Sequence, residues 1–162
     1  AGKSTLARAL AARYPRSVHI EGDRLQEFIV SGAVWPGQEP VDEETLQIHL
    51  NVRNQCLLAC SFAQDGFTPV LDYVIVNRQR LDEYRHSLEN AVLLLVTLAP
   101  GAAVALARDQ RRPEKTVAAR WVHLDDLMRI ALKDIGLWVN NADLTIDETV
   151  DYVLSQRDRA LV

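Results

Sequence analysis

Short apolar segments alternate with helical segments along this chain, and the alternation restricts the possible folds more than any other feature. Strands are predicted at 17–20, 68–76, 91–98 and 137–139. Repeated strand–helix units favour a parallel sheet that is covered by helices on both faces and connected by right-handed crossovers. At 162 residues, we expect one α/β domain with three α/β/α layers.

The segments between these strands have helical spacing or helix-capping residues. Helices are predicted over 6–13, 24–30, 41–64, 78–88, from 102 onward, 116–133 and 146–156. Thr145 fits the N-cap of the last helix and Glu148 the matching capping-box position. The segment 31–40 is rich in glycine and proline, which predicts a loop or mobile flap.

Composition and charge exclude some classes of function. The net charge of −4 argues against broad nucleic-acid binding. The longest apolar run, Ala91–Ala99, is too short to span a membrane. Cys56 and Cys60 lack other well-spaced ligands, so we interpret them as small buried hydrophobic residues in a reducing compartment, and we expect a cytoplasmic protein. The sequence does not predict an oligomeric state.

The chain begins with Gly2-Lys3-Ser4-Thr5, the closing half of a phosphate-binding P-loop. Gly2 lets the backbone approach a phosphate closely. Lys3 can hold β- and γ-phosphates, Ser4 can offer its hydroxyl to Mg²⁺, and Thr5 can hydrogen-bond a phosphate oxygen. The helix that follows would direct free N–H groups at the anion. The first glycine of the motif and the strand that feeds it would precede Ala1.

Two carboxylates occupy positions where α/β sheets bind ligands. Asp23 follows the strand at 17–20, and Asp72 lies inside the strand at 68–76. Asp72 is the more informative of the two, because an unpaired buried carboxylate is costly. Structural alternatives remain: Asp23 could cap a helix that begins at Arg24, and Asp72 could pair with an arginine.

Three arginines follow the strand at 91–98 and precede Pro113, namely Arg108, Arg111 and Arg112. Their position predicts an arginine-bearing lid over about 108–120. The alternative is a solvated helix face, since a run of charges is usually exposed.

Taken in this order, the lysine, the aspartates and the arginines resemble the P-loop small-molecule kinases of the nucleoside-monophosphate-kinase type. Within that group the chain is most similar to the kinases around chloramphenicol phosphotransferase, shikimate kinase and gluconate kinase. The resemblance implies a P-loop NTPase fold with a parallel sheet of about five strands. It also implies ATP as the phosphoryl donor and Mg²⁺ as the cofactor.

The resemblance also implies a role for each residue that matches the family. Gly2, Lys3, Ser4 and Thr5 would hold the phosphates. Asp23 would face the acceptor hydroxyl as general base, and Asp72 would help Ser4 hold Mg²⁺ or its waters.

In the lid, one arginine covers adenine and another reaches the phosphates. We assign Arg108 and Arg111 to nucleotide binding and Arg112 to catalysis. The acceptor region is expected at about 24–64, with Trp35, His49 and Arg53 as candidates. His49 and Arg53 are spaced i, i+4 and share a helix face, although an ordinary polar face is an equal alternative.

Departures from the family narrow the acceptor. There is no Gly-Gly-Gly stretch, no second carboxylate two residues after Asp23, and no Asp-Gly-x-Pro-Arg continuation after Asp72. These absences disfavour shikimate and nucleoside monophosphates as acceptors. The leading hypothesis is therefore a kinase of a small hydroxylated metabolite or antibiotic. Two others stay open: a polynucleotide 5′-hydroxyl kinase, and a nucleotide-binding regulatory or NTPase module without an acceptor.

Overall fold

The computed structural model describes residues 2–110 and 126–162, and it confirms a mixed α/β chain with parallel strand pairing. Residues 126–131 are helical. The remaining elements, in chain order, are α1 (Lys3–Ala11), β1 (Ser17–Glu21), α2 (Gly22–Glu27), α3 (Val41–Gln64), β2 (Thr68–Asp72), α4 (Arg78–Ser87), β3 (Val96–Leu98), α5 (Ala102–Gln110), β4 (Leu137–Val139), α6 (Ile146–Ser155) and a short 3₁₀ helix (Arg157–Ala160).

The strands form two separate parallel pairs in the described part of the chain, β1 with β2 and β3 with β4. In the first pair the register ends at Glu21 opposite Asp72. In the second it ends at Leu98 opposite Val139. The single sheet of about five strands stays a prediction.

Two strands are shorter than predicted from the sequence. β2 ends at Asp72 and not at Val76, because its partner β1 ends at the opposite position. β3 is limited to three residues by the equally short β4. The apolar run before β3 finds a different partner, since Leu94 forms an antiparallel bridge with Leu161 near the end of the chain.

The helices agree more closely with the sequence prediction. α3 and α6 lie where they were expected, and α6 has the predicted capping box between Thr145 and Glu148. α2 begins at Gly22, before the expected start at Arg24. Most of the predicted lid, including Arg111 and Arg112, and the first part of the helix predicted over 116–133 lie outside the described residues.

Two hydrophobic clusters form the core. The first joins β1, α3 and α4, with Val52 and Tyr84 among its buried members. The second joins β4 and α6 through Leu137, Val139 and Val153. α1 packs against β2 and also against α6, and its Leu10 contacts the second cluster. The first helix therefore connects the two halves of the fold.

The cysteines behave as the sequence indicates. Cys56 is buried and Cys60 half-buried, and both are free thiols. Burial raises the pKa of the Cys56 thiol to about 11, so it stays protonated at neutral pH. Within 2–110 and 126–162, no helix combines the length and the apolar character needed to cross a membrane.

Candidate phosphate site at the start of the first helix

The motif Gly2-Lys3-Ser4-Thr5 begins with a left-handed residue and continues directly into α1. Gly2 is the N-cap residue, with φ of 85°. A glycine adopts this conformation without steric cost, whereas an L side chain rarely does. Gly2 provides no side-chain cap to the helix. The first turn of α1 thus has backbone N–H groups and a positive partial charge to offer an anion.

Lys3 and Asp72 form an ion pair across the fold. Lys3 is the first residue of α1, Asp72 is the last residue of β2, and the Nζ atom of Lys3 donates to Oδ1 of Asp72. The Asp72 side chain has no exposed surface, while that of Lys3 is 37% exposed. An ammonium has three N–H donors, so Lys3 can contact Asp72 and still present donors to a ligand in solvent.

His19 completes the surroundings of the Asp72 carboxylate. Its Nε2 atom lies 3.3 Å from Oδ2 of Asp72, the oxygen that Lys3 leaves free. His19 lies on β1, where it alternates with the inward-facing Ile20. Both carboxylate oxygens therefore have a partner inside the fold.

These contacts determine the protonation state of Asp72. Burial by itself would raise the pKa of the carboxyl, because it removes water from the charged form. The charge of Lys3 and hydrogen bonds from Lys3, Ser4 and His19 outweigh burial, and the pKa of Asp72 is lowered. The arginine pairing considered as an alternative is not seen among the described residues, where Lys3 takes that place.

Asp23 lies at the same end of the first sheet as Asp72. It follows Glu21, which is opposite Asp72 in the strand register, and it is in the first turn of α2. The N-cap of α2 is Glu21, so the alternative of Asp23 as the cap of a helix from Arg24 is wrong. Burial and then the negative charge of Asp23 raise the pKa of Tyr73 to about 12. The Asp23 carboxylate is therefore close enough to Tyr73, the neighbour of Asp72, for its charge to act on the phenol.

The other predicted acceptor residues are more scattered. Trp35 is half-buried in the loop after α2, where its backbone N–H donates to Oε1 of Gln38 at 2.8 Å. His49 Nδ1 is 3.1 Å from Oε2 of Glu83 on α4. Arg53 lines a cavity of about 110 Å³ between α3 and α4. Thr5 is exposed on α1. The contacts of His49 and Arg53 thus point to α4, and their role with an acceptor stays a prediction.

Arg108 contacts the loop that follows β4. Its Nη2 donates to the carbonyl oxygens of Asn141 at 2.7 Å and Ala142 at 3.0 Å. Asn141 is buried, and within the described residues its Oδ1 atom has no hydrogen-bond partner. A buried acceptor without a partner is costly, and a ligand donor would satisfy it.

The described residues contain no group of three or more His, Cys, Asp or Glu side chains that could hold a metal ion by themselves. Ser4, at the start of α1, does lie close enough to Asp72 to help lower the pKa of that carboxyl, so one hydroxyl and one carboxylate lie near each other. This donor set fits Mg²⁺, which usually takes one or two protein oxygens and completes its shell with water and phosphate oxygens.

Neither the models of known protein families nor the curated proteins contain a match to this chain. Its function therefore has to be argued from the site.

The sequence prediction missed two residues of the site. His19 alternates with Val18 and Ile20 in a short strand, which puts it on the face shared with Glu21, and this pattern could have indicated it. Asn141 follows the last strand at the position where α/β sheets bind ligands, a signal of the same kind as that used for Asp23.

Proposed function

We propose that this protein is a cytoplasmic P-loop kinase that transfers the γ-phosphoryl group of ATP to a hydroxyl of a small metabolite or antibiotic. The observation that carries the proposal is the pair formed by Lys3 and Asp72. A lysine at a glycine-initiated helix start touches an ionised, buried carboxylate at the end of a parallel strand. In P-loop proteins a lysine at this place holds the phosphates of a nucleoside triphosphate, and an aspartate at a strand end helps hold its Mg²⁺.

The triphosphate would lie against the first turn of α1. Backbone N–H groups there and the ammonium of Lys3 would stabilise the negative charge that spreads over the phosphoryl oxygens. Ser4 and Asp72 would hold Mg²⁺, which when bound neutralises charge on the phosphate oxygens. Arg112 and the remainder of the lid would add positive charge from outside the described residues.

Asp23 would act on the acceptor. The acceptor oxygen attacks the γ-phosphorus, the bond from that phosphorus to the bridging oxygen breaks, and ADP leaves with the bonding electrons. The acceptor's proton passes to the Asp23 carboxylate, which acts as general base. Asp23 is exposed at the end of β1, so a substrate can reach it.

The adenine base of ATP would lie near Arg108 and the loop after β4. The guanidinium of Arg108 holds two carbonyls of this loop in place. The Oδ1 atom of Asn141, which has no partner among the described residues, would offer an acceptor to an amino group such as that of adenine. Arg111 would assist from the lid.

A further strand would join the two strand pairs into one sheet. The backbone N–H of Thr68 donates to the carbonyl oxygen of Arg16, so the backbone groups of Thr68 face β1. Because these groups alternate in direction along a strand, those of Pro69 and Leu71 face away from β1. On β3, Ala99 bonds to Val139, so Val96 and Leu98 face away from β4. A parallel strand preceding Gly2 would pair with these groups and deliver the chain into the phosphate turn.

The test is ATP consumption with Mg²⁺ against a panel of metabolites, nucleosides, and aminoglycoside and phenicol antibiotics. We expect ADP release that depends on one class of acceptor and disappears in Lys3→Ala, while Lys133→Ala, an exposed control, keeps it. A DNA 5′-hydroxyl as the best acceptor would establish the polynucleotide kinase instead. ATP binding without stimulation by any acceptor would favour the regulatory module.

Asp23→Asn tests the proposed general base. We expect turnover to fall by roughly 10²-fold or more, the usual contribution of a positioned base, while Mg-ATP still binds. Asp147→Asn is the matched control, because Asp147 is also an exposed carboxylate in the first turn of a helix. Near-normal turnover in Asp23→Asn would exclude the assignment.

A further inference from the structure

Four amide side chains are buried in the region that would bind the acceptor, and the proposed chemistry uses none of them. Gln55 has no exposed surface, Asn51 is 3% exposed, and Gln26 and Gln47 are 4% exposed. Amide side chains usually remain at the surface, since burying them costs free energy unless every polar group is satisfied. Their concentration on α2 and α3 therefore needs a reason.

One branch of this amide network leads to the backbone beside Asp23. The hydroxyl of Tyr84 on α4 donates to Oε1 of Gln55 at 2.9 Å, and Nε2 of Gln55 donates to Oδ1 of Asn51 at 2.7 Å. Nδ2 of Asn51 then donates to the carbonyl oxygen of Gly22 at 2.8 Å. The residue that precedes Asp23 is thereby held by a buried chain that begins on α4.

A second branch leads to the loop that carries Trp35. Oε1 of Gln47 accepts from the backbone N–H of Val34 and from Nε2 of Gln26, both at 2.8 Å. Nε2 of Gln47 donates to the carbonyl oxygen of Gly32 at 2.7 Å. Gln26 also donates to the carbonyl oxygen of Val34 at 3.1 Å. One glutamine thus holds the loop on both sides of residue 33.

Close packing supports the first branch. A Cβ atom at Gly22 would lie 2.3 Å from Cδ2 of Tyr73 and 2.8 Å from Nε2 of Gln55. The backbone before Asp23 is therefore confined between the neighbour of Asp72 and the amide network. Within the part of the chain that the structure describes, no side-chain hydrogen bond of Gln26, Gln47, Asn51 or Gln55 reaches Lys3, Ser4 or Asp72.

We propose that Gln47 and Asn51 are positioning residues for the acceptor half of the site. Asn51 sets the position of Asp23 through Gly22, and Gln47 sets the loop of Gly32–Trp35. The nucleotide half, at Lys3 and Asp72, is positioned separately by α1 and β2. This inference rests on the proposed function, since it assigns acceptor binding to these two elements. A purely structural role would instead weaken both halves together.

Gln47→Leu tests the loop branch, because leucine has a similar size and neither donates nor accepts. Hydrogen exchange would be measured in the whole chain. We expect the Val34 amide to exchange at least about tenfold faster, the effect of losing one buried hydrogen bond. The Leu137 amide, bonded to Leu95 at 2.8 Å in the other strand pair, should be unchanged. Gln64→Leu, an exposed position at the end of the same helix, is the control.

In Gln47→Glu an oxygen remains in place of Oε1, but the oxygen in place of Nε2 faces the carbonyl oxygen of Gly32 and the carboxylate of Glu43, which both accept from Gln47 at 2.7 Å. We expect the Val34 amide to be protected in this variant only at a pH low enough to protonate the new carboxyl group, whose O–H then replaces the Nε2 donor. Unchanged exchange at Val34 in Gln47→Leu would overturn the proposal. So would faster exchange at Val34 and Leu137 together, because that result indicates a loss of global stability.

Asn51→Leu tests the branch to Asp23. With Mg-ATP as the probe, we expect the Kd of Asn51→Leu to stay within about twofold of wild type, while turnover with the active acceptor of the panel falls by roughly 10²-fold, as a 1 Å misplacement can produce. A parallel loss of Mg-ATP binding would overturn the separation of the two halves. Failure of the kinase proposal would be distinct: wild-type protein would not bind Mg-ATP, or would bind it without stimulation of turnover by any acceptor, whereas the exchange result at Val34 would be unaffected.

Discussion

At the scale of single residues, Asp72 contributes both to the stability of the fold and to the proposed chemistry. Its pKa in the folded protein lies below the ordinary value of 3.8. The unfolded chain therefore binds a proton at higher pH than the folded chain does. The stability from Asp72 is fully present above pH 3.8 and is lost as the pH falls through the lower folded pKa.

Asp72→Asn should therefore flatten the acid limb of the stability profile. We expect wild-type protein to lose more unfolding free energy than the variant between pH 5 and pH 2.5, as measured by urea unfolding at each pH. The pKa of Glu148 is also lowered, mainly by its hydrogen bond to the Thr145 backbone. Because Glu148 is present in both proteins, its contribution cancels in the comparison. Parallel profiles would contradict the buried ion pair.

Gly22→Ala tests how tightly the backbone before Asp23 is confined. Gly22 begins α2, where alanine would ordinarily favour the helix by about 1 kcal/mol. The added Cβ would instead collide with the ring of Tyr73, at 2.3 Å from Cδ2. We expect a net destabilisation of about 1–3 kcal/mol, the usual cost of overpacking. Urea unfolding measures it, and equal or greater stability than wild type would mean that the site has room.

Gly101→Ala provides the comparison for that substitution. Gly101 has φ of 87° and nothing within 4 Å of an added Cβ, so its cost comes from the backbone conformation alone. This cost is expected to be about 1 kcal/mol. The two variants separate steric crowding at Gly22 from the general penalty of replacing a glycine.

The sequence predicts which residues carry charge at the site better than it predicts their contacts. A motif at a helix start and a carboxylate inside a strand predict roles for Lys3 and Asp72, but their ion pair was not predicted, since the structural partner considered for Asp72 was an arginine. The amide network does not follow, because Gln47 and Asn51 have the spacing of an ordinary polar helix face. Only the packing of α2 and the loop of 32–34 onto α3 shows that this face is buried.

At the scale of elements, α6 is the helix whose ends the sequence determines most clearly. Thr145 accepts from the backbone N–H of Glu148 at 3.2 Å, and Oε2 of Glu148 accepts from the backbone N–H of Thr145 at 2.8 Å. Thr145→Ala should cost about 1 kcal/mol of unfolding free energy, since it leaves an N–H of the first turn without a partner.

Thr145→Ser keeps the capping oxygen and is the matched control. Urea unfolding at neutral pH should show serine close to wild type and alanine clearly below it. Equal losses in the two variants would assign the effect to the threonine methyl group instead of the cap.

The ends of strands were harder to predict than the ends of helices, because the length of a strand depends on its partner. The apolar run that includes Leu93, Leu94 and Leu95 has the composition of a strand, and the sequence extends it smoothly into β3. Which residues count as strand depends on the partner. β4 supplies only three residues, and the end of the chain pairs with Leu94 in the opposite direction. A local pattern has no information about the length of a distant partner.

At the scale of the whole molecule, α1 contacts both strand pairs, which share no strand hydrogen bond within residues 2–110 and 126–162. It packs on β2 and α6, and it contains both Lys3 and Leu10. A helix that contacts both pairs limits the distance between them. The proposed additional strand would then bond to the backbone groups of β2 and β3 that face away from β1 and β4.

Hydrogen exchange at these edges tests the single-sheet proposal. In the chain of residues 1–162, the amides of Leu71, Val96 and Leu98 should exchange rapidly, because they face away from their paired strands. The Ala99 amide, bonded to Val139 at 2.8 Å, should be protected. In a protein extended before Gly2 by a strand and the first half of the phosphate motif, all three edge amides should slow by at least about tenfold, as expected for amides in a hydrogen-bonded sheet. If they exchange as fast in the extended protein, with Ala99 protected in both, the two pairs are independent sheets and the phosphate turn is not fed by a strand between them.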